Sequence, residues 1–266
     1  MTRCIILAAG RGSRLHPYTA DCPKCLTELG GMTLIARQLA TLRQCGIHDI
    51  HIVTGYRADM LALEGTRQTV NAAWETTNMV ESLFVAQADY TDDLIVAYSD
   101  IVYEPRLLNA LLGSEAPVSV IVDKAWRAYW EHRFSDPLSD AESLHMSNTG
   151  IITDIGNKTD DIDEIEAQYI GLMRFQGHGV SSLIEARESM RTTERAWKQK
   201  RPFEKAYMTD LLMEMILTDV EIRAVPVQSG WLEIDTVEDY EKAAAMFDDG
   251  SIRRFFNPDA LGCPET

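Results

Sequence analysis

The sequence predicts an α/β fold with a mixed, mostly parallel sheet flanked by helices, and three observations carry that expectation. Unbroken apolar runs of strand length recur at Arg3 to Ala9, Ile50 to Thr54, Leu94 to Tyr98 and Val118 to Val122, as in strands buried on both faces. Between the first two, Leu34 to Cys45 carries apolar residues at helical spacing and stops at Gly46, a residue suited to a left-handed cap. Strand, helix and strand in that order imply right-handed crossovers and parallel pairing.

The second half is less regular. Asn148-Thr149-Gly150 is a turn signal ahead of Ile151-Ile152, and Gln168 to Phe175 reads as a strand, so antiparallel pairing is expected to enter here. Helices are predicted over Ser181 to Met190 and Phe203 to Leu217, and strands over Val220 to Val227 and Trp231 to Ile234. A last helix starts at Thr236, whose hydroxyl caps it while Asp239 completes a capping-box-like pattern. No repeat, low-complexity block or pooled Pro/Gly linker divides the chain, so one continuous domain over residues 1–266 is the expected organisation.

Charge narrows the function. With 41 acidic and 25 basic side chains the net charge is -16, which repels nucleic-acid phosphates and anionic lipid; the longest basic run is Lys198 to Arg201. Neither nucleic acid nor a membrane is an expected partner. No stretch approaches the roughly 20 apolar residues of a membrane span, and the first apolar run is too short for a signal peptide. Five cysteines at uneven spacing (Cys4, Cys22, Cys25, Cys45 and Cys263) fit reduced thiols in a cytoplasmic protein. Cys22-Pro-Lys-Cys25 has the C-x-x-C form, but no second pair closes a zinc site around it.

Against that acidic background, Gly10-Arg11-Gly12-Ser13-Arg14-Leu15 follows the first strand at its carboxyl end, where ligands bind in open α/β sheets. Glycines there let backbone N–H groups reach phosphate oxygens. Walker A is excluded because no Gly-Lys-Ser/Thr closes the loop, and the dinucleotide fingerprint because Leu15 stands where its third glycine would be. A tight strand-to-helix turn would explain the glycines sterically. It would not explain Arg11, Arg14 and Lys24 gathered beside them, which call for an anionic ligand such as a polyphosphate.

These residues also carry a resemblance. Leu7 to Leu15, then Pro17, Thr19 and Pro23-Lys24-Cys25-Leu26, are similar to the amino-terminal signature of the sugar-phosphate and choline-phosphate nucleotidyltransferases, with Thr54-Gly55-Tyr56, Ser99-Asp100 and Glu233 to Tyr240 following in the family's order. Cys25 departs from the alanine or proline usual after the lysine. The resemblance implies a Rossmann-like nucleotidyltransferase fold. It also implies transfer of a nucleotidyl group to a phosphate or phosphonate oxygen with release of pyrophosphate.

That chemistry joins two anions, so neutralising charge is the main task. Arg14 and Lys24 are the candidate catalytic cations, the fork of Arg14 for the triphosphate and the point charge of Lys24 for the α-phosphate and incoming oxyanion. Mg2+ is the expected cofactor and takes carboxylate oxygens. Asp100, just past the strand Leu94 to Tyr98, is one candidate ligand. Glu233 and Asp235 are the others, because an alternation over Trp231 to Asp235 sets them on one face.

For the nucleotide, the resemblance implies base recognition by backbone at Leu7, Ala8 and Ala9, phosphate contacts at Gly10 and Gly12, and a place for Asp100 beside them. Asn78 and Ser82 match the Asn-x-x-x-Ser element of choline-phosphate and phosphonate cytidylyltransferases, which favours CTP. One helical turn apart, both could meet a pyrimidine edge, although Asn78 could equally cap a helix. Between Asp123 and Glu142, Trp126, Tyr129 and Trp130 alternate with Arg127 and Arg133, a mixture suited to a small zwitterion. The competing reading is an amphipathic helix packed into the core. Trp126, Tyr129, Arg133, Asp140, Lys158 and Gln168 are the acceptor-binding candidates, and Asp140 or Glu142 could pair with an amine. The resemblance from Trp126 to Gly171 favours acceptors such as 2-aminoethylphosphonate, hydroxyethylphosphonate or phosphocholine. A hexose-1-phosphate nucleotidyltransferase and a catalytically silent nucleotide-binding regulator are the alternatives. Phe203 to Leu217, rich in Met and Leu, is either core or the face of a homodimer.

Overall fold

The computed structural model describes residues 1–195 and 201–261. Cys263 and Lys198, with the rest of the basic run before Arg201, lie outside the described residues. In chain order the first half contains β1 (Arg3–Ala8), β2 (Glu28–Leu29), β3 (Met32–Thr33), α1 (Leu34–Gln44), β4 (Asp49–Thr54), β5 (Arg67–Val70), α2 (Met79–Val85), β6 (Asp93–Tyr98), β7 (Ile101–Tyr103), α3 (Pro105–Leu112) and β8 (Val118–Asp123). The second half contains α4 (Trp126–Arg133), β9 (Leu144–Met146), β10 (Ile152–Ile155), β11 (Gln168–Gln176), α5 (His178–Thr192), α6 (Met208–Leu217), β12 (Arg223–Val227), β13 (Trp231–Glu233) and α7 (Val237–Asp249).

Seven strands form the main sheet in the order β12-β8-β11-β6-β1-β4-β5. Only β11 runs antiparallel to its neighbours, so the expected mixed, mostly parallel sheet is what forms. Both faces are covered. Cys4, Ile6 and Ala8 of β1 point into one apolar cluster, and Ile5 and Leu7 into the other, which is why these strands read as continuous apolar runs. From β1 the chain moves outward to β4 and β5, then returns to place β6 on the other side of β1. The sheet order reverses there, and the strands' carboxyl ends open a crevice, the usual ligand position in such folds.

Local signals explain most boundaries. Thr33 caps α1 by accepting from the Ala36 amide, and Gly46 adopts φ +80° after its end. The predicted helix over Phe203 to Leu217 is interrupted. Residues 203–205 form a short turn, Tyr207 has extended backbone, and α6 starts at Met208 with the Asp210 carboxylate on the Tyr207 amide. Met208, Leu211, Leu212 and Met215 are fully buried, with α6 packed on α5 and β10, so these four residues belong to the core. The strand expected from Val220 begins only at Arg223, because the Val220 amide still closes α6 on Met215 and Asp219 turns at φ +62°. Among the described residues no helix is long and apolar enough to cross a membrane.

Candidate active site

A cleft of about 280 Å3 opens at the crevice, lined by the loop after β1, the turn after β6, residues 74–82 and Asp235. Gly12 takes φ +69°, and a Cβ there would sit 2.7 Å from Lys24 Cβ, so glycine is required both for the turn and for the approach of the lysine. The Gly12 carbonyl is held by the Leu15 amide at 3.0 Å and the Thr19 hydroxyl at 2.8 Å. Among the described residues the amides of Gly10, Gly12, Ser13 and Arg14 donate to no other group. A side chain on Gly10 would project into open space. Free amides around a left-handed glycine form the nest that anions occupy.

Lys24 lies beneath this loop, only 7% exposed. Its Nζ donates to Asp100 Oδ2 at 2.7 Å and Asp235 Oδ1 at 2.5 Å. Arg14, with its side chain 67% exposed, reaches Asp235 Oδ2 at 2.6 Å. Burial pulls the Lys24 ammonium down, but attraction to Asp100 and Asp235 outweighs it and holds Lys24 above its ordinary value. The two aspartates meet although far apart in sequence because β7 and β13 pair antiparallel and the Ile234 amide donates to the Asp100 carbonyl at 3.0 Å. The turn bearing Asp100 is pinned from below by Gln38, whose Nε2 donates to the Tyr98 and Ile101 carbonyls at 2.9 and 2.6 Å. Asp100 Oδ1 is buried without a hydrogen-bond partner among the described residues.

At the other end of the cleft Asn78 caps α2, its Oδ1 accepting from the Met79 amide. The Asn71 amide nitrogen donates to Ser82 Oγ at 3.0 Å and Thr77 Oγ1 at 2.9 Å. Ser82 accepts that bond, so its own proton is left to donate into the cleft it lines. The Asn78 side-chain Nδ2 has only a long contact of 3.4 Å to the Lys205 carbonyl. Leu7 and Ala9 also line the cleft, while Ala8, one residue out of phase, is buried in the opposite cluster. Trp74, Thr77, Met79 and Tyr98 complete the lining, and sequence reading did not single them out. Trp74 leaves one trace in the sequence: a Cβ on Gly55 would lie 2.5 Å from Trp74 Cβ, so the glycine makes room for the indole.

The acceptor candidates divide. Trp126, Tyr129 and Arg133 were expected to contact the acceptor, and the structure corrects that: all three are buried on the inner face of α4. Trp126 and Tyr129 pack with Trp130, Trp231 and Phe255, while the Arg133 guanidinium is consumed by Glu233 and Asp239. The physical reason is their spacing: positions 126, 129, 130 and 133 share one helical face. Glu233 does not line the cleft, yet its carboxylate stands close enough to Asp100 and Asp235 to feel both charges. Strand β13 stops at Glu233, and the Glu233 carboxylate accepts from Arg133. Burial pushes Glu233 up to about 7. Asp140 accepts from the Trp130 indole at 3.1 Å, and Lys158 donates to the carbonyls of Ser139, Asp140 and Ala141. Gln168 clamps the Glu142 backbone, donating to its carbonyl at 2.6 Å and accepting from its amide at 3.4 Å. These three therefore shape the 139–142 turn. Cys25 is buried and its thiol is pushed up to about 12 by desolvation, which leaves little thiolate for redox or metal chemistry.

Glu142 yields a pH prediction. Burial raises its carboxyl from 4.5 to about 7, with Asp140 and Asp210 adding to the rise and Lys158 and Arg201 opposing it. Between those values the native state binds the extra proton, so stability falls as pH rises from about 4.5 to 7 and levels off above. Glu142→Gln is expected to raise the melting temperature at pH 8 by several degrees, from a cost of up to ~3 kcal/mol, and to leave it unchanged at pH 4. Thermal melts at the two pH values check this; an equal shift at both would show that the charge is not the cause.

An open α/β sheet whose crevice joins a phosphate nest, a buried lysine and two acidic residues defines a nucleotidyltransferase. Comparison with known proteins agrees: residues 4–149 match the MobA-like NTP transferase domain, and the chain belongs to that family. It is 38% identical over 248 residues to the CTP:phosphoglutamine cytidylyltransferase of Campylobacter jejuni, spanning 89% of this chain and 97% of that protein. A second relative, the CMP-5'-(3-aminopropyl)phosphonate synthase of Streptomyces rubellomurinus, is 29% identical over 47% of this chain and 21% of its own length. The solved structure of the CTP:phosphocholine cytidylyltransferase of Streptococcus pneumoniae, 21% identical, has the same fold. It superposes with a TM-score of 0.70 over 92% of this chain and 98% of that one.

Proposed function

We propose that the chain is a Mg2+-dependent cytidylyltransferase that transfers CMP from CTP to a small phosphate or phosphonate acceptor and releases pyrophosphate. The observation that carries the reading is the bridge of Lys24 to Asp100 and Asp235 directly beneath the glycine loop. In the reaction an acceptor oxyanion forms a bond to the α-phosphorus while the bond to the β-phosphate oxygen breaks, and pyrophosphate leaves. The nucleophile is already an anion, so no general base is needed. The free amides of residues 10–14 receive the triphosphate, and Arg14, lightly held at the surface, swings from Asp235 to the leaving phosphates. Lys24, fixed by packing, meets the negative charge that gathers between α-phosphate and acceptor.

Asp100 and Asp235 would hold the magnesium ion, and the partnerless Asp100 Oδ1 supplies a hard oxygen of the kind it takes. Bound there, the ion would neutralise phosphate charge and orient the triphosphate. Preference for CTP rests on Asn78 and Ser82, which line the cleft, and on the relative whose name specifies CTP. The acceptors named for the two relatives above, a phosphorylated amino-acid amide and an aminophosphonate, share an amine joined to a phosphorus oxyanion. An acceptor of that type is the expected substrate.

The test is pyrophosphate release with CTP, UTP and dTTP, each against phosphoglutamine, 2-aminoethylphosphonate, 2-hydroxyethylphosphonate, phosphocholine and glucose-1-phosphate. Turnover with CTP and one of the first four is the expected result. Turnover confined to glucose-1-phosphate with UTP or dTTP would make the chain a sugar nucleotidyltransferase. Nucleotide binding without turnover on any acceptor would make it a regulator.

A further inference from the structure

Arg133 is 3% exposed, and each of its three guanidinium nitrogens donates to a carboxylate. Nε and Nη2 donate to the two oxygens of Asp239 at 2.9 and 3.1 Å, and Nη1 donates to Glu233 Oε2 at 2.5 Å. The rings of Phe134, Trp130 and Tyr129 surround it at 4.7 to 5.5 Å from centroid. Asp239 in turn accepts from the amides of Asp235 and Thr236 at 3.2 and 3.0 Å. From the same helix face the Tyr129 hydroxyl brackets the Glu233 backbone, accepting from its amide and donating to its carbonyl. Thus α4 grips the segment from Glu233 to Asp239 at its side chains and its backbone.

An ordinary capping box needs no buried guanidinium, since its acidic residue can stand in water. A buried ion-pair cluster is a poor source of stability compared with apolar packing, and its best use is to specify geometry. What is specified here is the backbone of Asp235. We infer that Arg133 is a positioning residue that sets the aim of the Asp235 carboxylate through Asp239, and so tunes the affinity of the site for a divalent cation. The inference rests on the assignment of Asp235 as a cation ligand made above.

The test measures Mn2+ binding by electron paramagnetic resonance, with the full-length protein and the α,β-methylene analogue of CTP. Binding of the analogue in EDTA is measured separately. Arg133→Lys keeps the charge and loses the fork, and should weaken Mn2+ roughly 10- to 100-fold, as loss of supporting contacts does at metal sites. Affinity for the analogue without metal should change less than about twofold, because Arg133 does not line the cleft. Asp239→Asn, which keeps an oxygen for the amides and loses the ion pair, should act in the same direction and serves if Arg133→Lys does not fold. Wild-type Mn2+ affinity in both variants, with Asp235→Asn impaired, would overturn the positioning role alone. Wild-type Mn2+ affinity in Asp235→Asn would overturn the ligand assignment and the inference with it. Equal weakening of metal and of metal-free nucleotide would show general loosening, which also overturns it.

Discussion

Lys24→Ala is expected to lower turnover by roughly 10^3-fold or more while leaving a folded protein, the size of loss seen when a cation facing transition-state charge is removed. That factor is about 4 kcal/mol of barrier. The effect should fall on kcat more than on KM. On the proposed mechanism the amides of the loop and Arg14 would still receive the triphosphate, whereas the charge gathering at the α-phosphorus would lose its nearest fixed cation. Stability should also change, because Asp100 and Asp235 lose their shared ammonium. Arg14 remains on Asp235, and the Asp100 side chain is partly open to water, so the loss should fall short of the 3–5 kcal/mol typical of breaking a fully buried pair. Two carboxylates freed of their lysine compete better for a divalent ion. Mg2+ should therefore raise the melting temperature of the variant more than that of the wild type. Pyrophosphate release and thermal melts with and without Mg2+ check both parts, and a wild-type rate would remove Lys24 from the mechanism.

Much of this site is legible in the sequence because its parts are local signals. Gly10 and Gly12 follow an apolar strand, Lys24 follows a proline, and Asp100 closes a buried run, so each announces itself within a few residues. The union of Asp100 with Asp235 followed only from the resemblance, because Asp235 reaches Asp100 through the separate antiparallel pair of β7 and β13. What stayed hidden depends on partners distant in the chain. The aromatic and arginine pattern of α4 is equally compatible with a ligand cradle and with a core face; Asp239 and Glu233, brought up by α7 and β13, decide for the core. The alternation over Trp231 to Asp235 could not show that Arg133 takes the Glu233 carboxylate, because that partner arrives from α4, 100 residues away in the chain. Trp74 carries no periodic signal at all. It reaches the cleft because Asn71 folds residues 71–77 back on themselves, its Oδ1 accepting from the Ala73 amide while its side-chain nitrogen ties Thr77 and Ser82.

Asp235→Asn should be nearly as damaging as loss of the lysine, and for a separable reason. The substitution is isosteric and neutral, so the space it fills is unchanged. The bond from residue 235 to Asp239 is made by its backbone amide, not its side chain, so the capping box that starts α7 survives and the fold with it. What disappears is the charge that both Lys24 and Arg14 now meet. Lys24 would then rest on Asp100 alone, and the site would offer a divalent ion one carboxylate in place of two. Turnover is expected to fall roughly 10^2- to 10^3-fold at low millimolar Mg2+. Raising the Mg2+ concentration should recover part of it, because the missing carboxylate lowers the affinity for the ion without removing Lys24. A Mg2+ titration of initial rates separates the two aspects. Recovery at high Mg2+ marks Asp235 as a ligand, a uniform loss at all concentrations marks it as a support for Lys24 only, and an unchanged rate excludes it from the site's chemistry.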